Sequence, residues 1–195
     1  MVRVAVSPPV FEVVDFEPAR IARLAAEVAA GVGLPDDLEL AVEIDEGSPF
    51  GSTSTAIEGR RVTLSVESGA FEDPKAIRQL SEAGTRLVLG RLLFRLSDRL
   101  NPDFGAPPAD SELTYAEHAA WDAYAVGRYA RLAGVDGGQD RRRYAFRLRH
   151  GFTDDADRAF DRLWTGDGLT WGELEQIVGA HGHEEAEVGR GAEQG

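Results

Sequence analysis

The feature that most constrains the fold is a change in the spacing of apolar residues in the middle of the chain. In residues 38–45 and 61–67 every second residue is apolar, which is the pattern of strands buried on one face. Gly59 lies between these segments, where a tight turn needs a residue that tolerates positive φ, so residues 53–67 are predicted to form a β-hairpin. From residue 80 onward the apolar spacing is helical. The chain therefore combines a sheet with helices in an α+β fold.

The long mid-chain helix is predicted to be the core helix. Asp73 and Pro74 are a typical N-cap and first-turn pair, and Asn101-Pro102 is a typical stop, so the helix is predicted over about residues 73–100. Its apolar stripe consists of Leu80, Leu87, Val88, Leu89, Leu92, Leu93, Phe94, Leu96 and Leu100. The positions that remain for an exposed face are mainly Arg91, Arg95 and Arg99.

The N-terminal segment is predicted to add two short strands and a helix. Residues 2–6 alternate between apolar and polar, and residues 10–14 form a second short apolar run after a Ser-Pro-Pro break. A helix with Pro18 in its first turn is predicted to end near Gly31 and Gly33. Together these elements predict a short mixed sheet that contains a hairpin and packs on two long helices.

The C-terminal part of the chain is predicted to be helical. We expect an α+β core domain over residues 1–134, a small helical annex over residues 139–179 and a disordered tail over residues 180–195. Two short helices are predicted within the annex, at about residues 154–164 and 171–178.

Composition argues against several classes of function. The formal net charge is −13, so long-range repulsion opposes nonspecific binding to DNA, RNA or anionic lipid. The chain has no cysteine, no apolar run near the length of a membrane span and no secretory apolar segment at its start. We therefore expect a soluble, cytoplasmic protein. Lys75 is the only lysine among 21 basic residues, which we interpret as GC-rich bacterial coding and not as a functional signal.

The order of the predicted elements over residues 17–133 resembles that of the small zincin-like metallopeptidases. In those enzymes a helix packed under a short sheet carries a His-Glu-x-x-His motif, and the following helix supplies a carboxylate ligand. The corresponding segment here, residues 85–95, contains no histidine and no acid. Zinc needs two imidazoles one helical turn apart, a third ligand and a carboxylate that activates water. The resemblance therefore implies a degenerate family member without a metal site or a cofactor.

The helix that follows contains the candidate catalytic residues. Glu117, His118 and Asp122 resemble the carboxylate-bearing helix of the zincin-like enzymes, which implies that Glu117 or Asp122 is the relic of a zinc ligand. Thr114 and Glu117 also have the spacing of a capping box, which starts a helix ending at Gly134. The structural alternative is that Glu117 closes this box and that His118 pairs with Asp122 one turn away.

An arginine-dense segment, residues 141–150, is the second candidate site. It contains five arginines and no acid, with aromatic residues between them. This composition suits phosphate contact and base stacking, and it predicts a nucleic-acid or anion contact through Arg141, Arg142, Arg143, Arg147 and Arg149. The alternative is that these arginines neutralise nearby carboxylates. The apolar spacing of the segment fits a strand as well as a helix.

These observations predict a non-catalytic domain on a zincin-like scaffold that acts through a protein partner or a small molecule. One alternative is a nucleic-acid-associated regulatory protein that uses residues 141–149. Another is an uncharacterised hydrolase that uses paired carboxylates such as Glu117 and Asp122. No metal, no cofactor and no membrane contact are expected.

Overall fold

The computed structural model describes residues 2–181, which form six strands and six α-helices. The predicted α+β fold class is confirmed. The chain divides into two compact units, one up to Ser97 and the other from Asp98 onward. Within the described residues no helix is long and apolar enough to cross a bilayer. The predicted tail, residues 180–195, lies outside the described part of the chain except for its first two positions.

A four-stranded mixed sheet forms the centre of the first unit. Its strands, in the order β1-β2-β4-β3, are β1 (Arg3–Ser7), β2 (Glu39–Asp45), β3 (Thr53–Glu58) and β4 (Arg61–Glu67). The strands β1, β2 and β4 are parallel neighbours, and β3 runs antiparallel to β4 at one edge. Gly59 in the turn between β3 and β4 has a φ of 62°, a value that favours glycine. The predicted hairpin is therefore confirmed.

The helix α1 (Pro18–Val32) follows β1 and contacts it. Its apolar stripe is buried, with Ile21 and Leu24 at 0% exposure. Gly33 ends the helix at a φ of 80°, and its N–H donates to the carbonyl oxygens of the preceding turn. The predicted bounds of this helix are confirmed.

The two faces of the four-stranded sheet differ. Leu40, Val42 and Ile44 on β2 are at most 6% exposed, and the facing positions on β4 are equally buried. The alternate positions of the strands carry small or charged side chains that are exposed or half-buried. We call this second side of the sheet, opposite Leu40, Val42 and Ile44, the open face.

The prediction of a strand over residues 10–14 is wrong. Near these residues the described chain forms only an isolated bridge between Asp15 and Gln79. The carboxylate of Glu46 accepts hydrogen bonds from the backbone N–H groups of Glu12 and Val13, at 2.8 and 2.7 Å. A side chain therefore takes the place of a neighbouring strand, and these bonds hold the pKa of Glu46 below its ordinary value.

The predicted start of the long helix is also wrong. The chain first forms a two-stranded hairpin, β5 (Glu72–Asp73) and β6 (Ala76–Leu80), and then the helix α2 (Glu82–Leu100). Asp73 accepts a hydrogen bond from the N–H of Lys75 at 2.8 Å, so it stabilises a turn and not a helix. Ser81 caps α2 instead, because its Oγ accepts the N–H of Gly84 at 3.1 Å.

Part of the predicted apolar stripe is buried, namely Leu89, Leu92, Leu93 and Leu96, whereas Leu100 is 36% exposed. The arginines of α2 do not form an exposed face. Arg95 is only 5% exposed, and Arg91 and Arg99 are half-buried. Within the first unit Arg91 donates to Oγ1 of Thr53 on β3, at 2.7 Å. The predicted exposed face of Arg91, Arg95 and Arg99 is therefore wrong, because an arginine can extend from a leucine-rich surface to a hydrogen-bond acceptor.

In the second unit, the residues up to His181 form four further α-helices. They are α3 (Tyr115–Ala133), α4 (Gln139–His150), α5 (Asp154–Thr165) and α6 (Trp171–His181). The helix α3 is central, since it contacts each of the other three. At Gly127 it approaches α5 so closely that an added Cβ would lie 2.3 Å from the carbonyl oxygen of Trp164. The two predicted short helices are confirmed as α5 and α6.

Candidate functional site

The three candidate catalytic residues lie in the first two turns of α3. Oε2 of Glu117 accepts hydrogen bonds from the N–H and the hydroxyl of Thr114, at 2.7 and 2.8 Å. The N–H of Glu117 donates in return to Oγ1 of Thr114 at 3.2 Å. The predicted capping box is therefore confirmed, and one oxygen of Glu117 is engaged in closing it.

The helix directs the two candidate carboxylates to different sides. Five residues of an α-helix correspond to about 500°, so Glu117 and Asp122 point about 140° apart. His118 lies on the same side as Asp122, and its Nε2 is 3.1 Å from the carbonyl oxygen of Asp110. General acid–base chemistry with two carboxylates requires both to reach one substrate. This arrangement therefore does not favour the hydrolase alternative.

Asp98, Trp121 and Arg128 form a buried ionic cluster near these residues, and it was not predicted from the sequence. Asp98 is 4% exposed and accepts a hydrogen bond from Nε1 of Trp121 at 2.8 Å. It also accepts hydrogen bonds from both terminal nitrogens of Arg128, at 2.8 and 2.5 Å. The guanidinium of Arg128 lies 3.9 Å from the ring centre of Tyr124. Because its carboxylate already receives three donors, we interpret Asp98 as structural. The available signal was the seven-residue spacing of Trp121 and Arg128, which places both on one side of α3.

The arginine-dense segment is the helix α4, so the alternative of a strand is excluded. Arg147 binds the carboxylate of Asp157 on α5 through Nε and Nη2, at 2.7 and 2.5 Å. Arg143 contacts Asp157 and also Asp161, one turn further along α5. The hydrogen bond from Arg147 holds the pKa of Asp157 below its ordinary value. These two arginines therefore join α4 to α5, as the neutralisation alternative expects.

The other three arginines of α4 have different surroundings. Arg142 donates from Nε to the carbonyl oxygen of Gly137 at 3.1 Å. Arg149 is exposed and lies 5.0 Å from the ring centre of Tyr115, and Arg141 is also exposed. Of the five arginines, only Arg141 and Arg149 are therefore exposed enough to bind an anion from solvent, and they lie eight residues apart on α4.

The sheet carries a polar groove that sequence reasoning also missed. The groove lies where β1, β2 and β4 end and β3 begins, and it has a volume of about 650 Å³. Its polar lining includes Ser7, Glu43, Asp45, Ser54, Ser65 and Glu67. None of the residues that line it is basic, so the groove is acidic. Alternating apolar residues identify strands and their faces, but they do not give the strand order that creates this groove.

Glu67 fixes the beginning of β3 beside the groove. Its Oε2 accepts the N–H of Ser52 at 2.7 Å, and its own N–H donates to the carbonyl oxygen of Ser52 at 3.0 Å. The hydrogen bond from Ser52 holds the pKa of Glu67 below its ordinary value. The carboxylate is therefore ionised at neutral pH and keeps negative charge at this end of the edge strand.

The edge strand β3 directs part of its backbone away from the sheet. In an antiparallel pair, hydrogen-bonded residues alternate with non-bonded ones, and Ser52 with Glu67 is a bonded pair. The residues of β3 that bond to β4 are therefore Ser54, Ala56 and Glu58. The residues whose N–H and C=O groups point outward are Thr53, Thr55 and Ile57. In the described part of the chain, no backbone hydrogen bond joins these outward groups to another segment.

Residues 2–181 contain no group of three or more His, Cys, Asp or Glu side chains arranged to hold a metal ion. Comparison of the chain with protein-family models, with curated proteins and with solved structures gives no significant match. The function is therefore inferred from the residues of this chain.

Proposed function

We propose that the chain is a non-catalytic interaction domain that binds an extended basic segment of a partner protein along the edge of β3. The observation that carries this proposal is the row of outward N–H and C=O groups at Thr53, Thr55 and Ile57. An unpaired strand edge is a template for another strand. Main-chain hydrogen bonds would supply the affinity, and the alternating side chains of the bound segment would supply the specificity.

The charge beside this edge favours a basic partner. Glu43, Asp45 and Glu67 line the groove at the beginning of β3, and Glu58 is the last residue of the strand. The formal net charge of −13 adds a long-range attraction for basic segments. A basic segment would therefore associate faster than a neutral or acidic one of the same length.

The scaffold behind β3 supports a role without catalysis. The element order resembles that of the zincin-like metallopeptidases, yet α2 buries Leu89, Leu92 and Leu93 in the segment where those enzymes hold their metal ligands. Arg91 of α2 donates to Thr53, so this helix supports the edge strand. Stoichiometric zinc in purified protein without a tag, measured by elemental analysis, would contradict the metal-free scaffold.

A proline in β3 tests the proposed edge directly. Because Thr55 does not bond to β4, Thr55→Pro removes an outward N–H and leaves the ladder to β4 intact. Thr55→Val is the matched control, since it keeps the N–H and the shape of the side chain. The probe is a fluorescein-labelled decapeptide of alternating valine and lysine, and its binding is measured by fluorescence anisotropy. We expect Thr55→Pro to weaken binding about tenfold or more, and Thr55→Val by less than about twofold.

The same assay separates this proposal from the nucleic-acid alternative. Equal binding by the proline and valine variants, with both shown to be folded by circular dichroism, would contradict strand addition, and so would the absence of saturable binding. A labelled single-stranded oligothymidine serves as the acidic probe. Saturable binding of this probe that weakens steeply with salt and is lost in an Arg141→Glu, Arg149→Glu double variant would favour the nucleic-acid alternative instead.

A further inference from the structure

The open face of the four-stranded sheet is unusual for a sheet with three parallel strands. Parallel strands normally have both faces covered. Here Ala5, Ala41, Thr63 and Ala56 form one row across the four strands, and all four are exposed or half-buried. A surface of such small side chains allows close approach of another flat surface.

A row of alternating charges lies next to the row of small residues. In the order β1, β2, β4 and β3, the register aligns Arg3, Glu39, Arg61 and Glu58. The charges along this row are therefore positive, negative, positive and negative, and all four residues are exposed. Read in the opposite direction the signs are inverted at every position. The row is thus complementary to a reversed copy of itself.

We propose that the chain forms a symmetric dimer in which the open face packs on the open face of a second copy. The two-fold axis would run parallel to the strands, between β2 and β4. This axis places Glu39 opposite Arg61 of the second copy, and Arg3 opposite Glu58 of the second copy. Like surfaces facing each other across a two-fold axis are the commonest arrangement in homodimers.

The next two rows of the open face agree with this axis. Ala5 would face Ala56 of the second copy, and Ala41 would face Thr63, so small side chains meet small side chains. In the third row Glu43 would face the hydroxyl of Ser65, which can donate a hydrogen bond to it. In the last row Asp45 would face Glu67 of the second copy, so two like-charged pairs oppose the dimer at this end, although both carboxylates also accept backbone N–H groups of their own chain.

Another two-fold axis within the interface is disfavoured by charge. An axis perpendicular to the strands would keep each strand opposite its own copy and reverse its direction. Glu39 would then face Glu43 of the second copy, and two such like-charged pairs would form. The axis parallel to the strands also forms two like-charged pairs, between Asp45 and Glu67, but it adds four attractive pairs, two between Glu39 and Arg61 and two between Arg3 and Glu58.

The area of the open face predicts a weak dimer. Seven-residue strands are about 23 Å long and four strands are about 19 Å wide, which gives about 900 Å² of contact counted over both copies. Stable complexes bury about 1,200–2,000 Å², so we expect a dissociation constant of about 10 μM or weaker. Aligned sheets cross at about 30°, which displaces the outer pairs most. The central pair of Glu39 and Arg61 is therefore the one to test.

A charge swap tests this dimer in the full-length chain by sedimentation velocity, from about 1 μM to about 500 μM. The wild type should shift from monomer to dimer over this range. Arg61→Glu should weaken dimerisation about tenfold or more, because two attractive pairs become repulsive. Combining it with Glu39→Arg should restore dimerisation. The charges of the row are then positive, positive, negative and negative, so each charge again faces an opposite charge of the second copy. Arg60→Glu, which makes the same change in net charge in the β3–β4 turn, should leave dimerisation unchanged.

Four results would overturn the proposal. A wild type that remains monomeric at the highest concentration would show that the open face does not bind a second copy. Equal self-association of Arg61→Glu and the wild type would exclude this charge row, as would a failure of the double variant to recover while it remains folded. Dimerisation that is lost in Thr55→Pro would indicate pairing through the edge of β3 instead of the open face.

Discussion

Replacement of Asp98 by alanine should be among the most destabilising single substitutions in the second unit. The side chains of Asp98 and Arg128 are only 6% and 12% exposed, and they form a bidentate ion pair that also binds Nε1 of Trp121. Removal of one partner from a buried pair costs about 3–5 kcal/mol, because the remaining charge stays desolvated. For a chain of this size that loss corresponds to a decrease of about 6–20 °C in Tm.

Urea denaturation followed by circular dichroism and tryptophan fluorescence measures this loss. Asp155→Ala is the matched control, since Asp155 and Arg158 form a pair that is 68% and 71% exposed and should contribute less than about 1 kcal/mol. A double variant, Asp98→Leu with Arg128→Met, should recover much of the stability, because it removes both charges together. A cost below about 1 kcal/mol for Asp98→Ala, or a cost equal to that of the control, would refute the assigned role of this cluster.

Asp157→Asn should destabilise the chain at neutral pH but not in strong acid. Because Arg147 lowers the pKa of Asp157, its contribution is present above about pH 4 and is lost as the pH falls through the lowered pKa, so urea titrations of variant and wild type should converge in acid. Gly127→Ala should cost about 2–3 kcal/mol, since its Cβ would lie 2.3 Å from the carbonyl oxygen of Trp164. Gly172→Ala in α6 meets nothing within 4 Å and should be neutral or stabilising in the same urea titrations, and an equal loss in both variants would contradict this packing.

Elements whose signals are local could be predicted from the sequence. The hairpin of β3 and β4 needs only apolar alternation and Gly59, and the start of α3 needs only Thr114 and Glu117. The segment before α2 carries two capping signals in succession, Asp73 and Ser81. The choice between them depends on tertiary contacts, including the bond from the N–H of Ser81 to the carbonyl oxygen of Phe71 at 2.8 Å.

Features that depend on strand order could not be predicted. Alternation shows that Glu39 and Arg61 lie on the exposed side of their strands, but only the register shows that they are neighbours in one row. The acidic groove and the outward edge of β3 depend on the same register. The strand predicted at residues 10–14 is also wrong because of a long-range contact. Backbone N–H groups in this segment donate to Glu46, which is distant in sequence.

The proposed dimer uses the open face and the proposed peptide binds the outward edge of β3, but Glu43, Asp45 and Glu67 at the end of the sheet belong to both. In a dimer through the open face, the N–H and C=O groups of Thr53, Thr55 and Ile57 point along the plane of the sheet and not toward the second copy. Both β3 edges therefore stay available. A partner with two suitably spaced basic segments would bind the dimer with an avidity about 10²–10⁴ times the affinity of one edge. A dimer formed by pairing β3 with β3 would instead occupy those groups and exclude the peptide. Complete loss of peptide binding as the dimer forms would therefore contradict the face-to-face arrangement, whereas a modest weakening would follow from coverage of Glu43, Asp45 and Glu67.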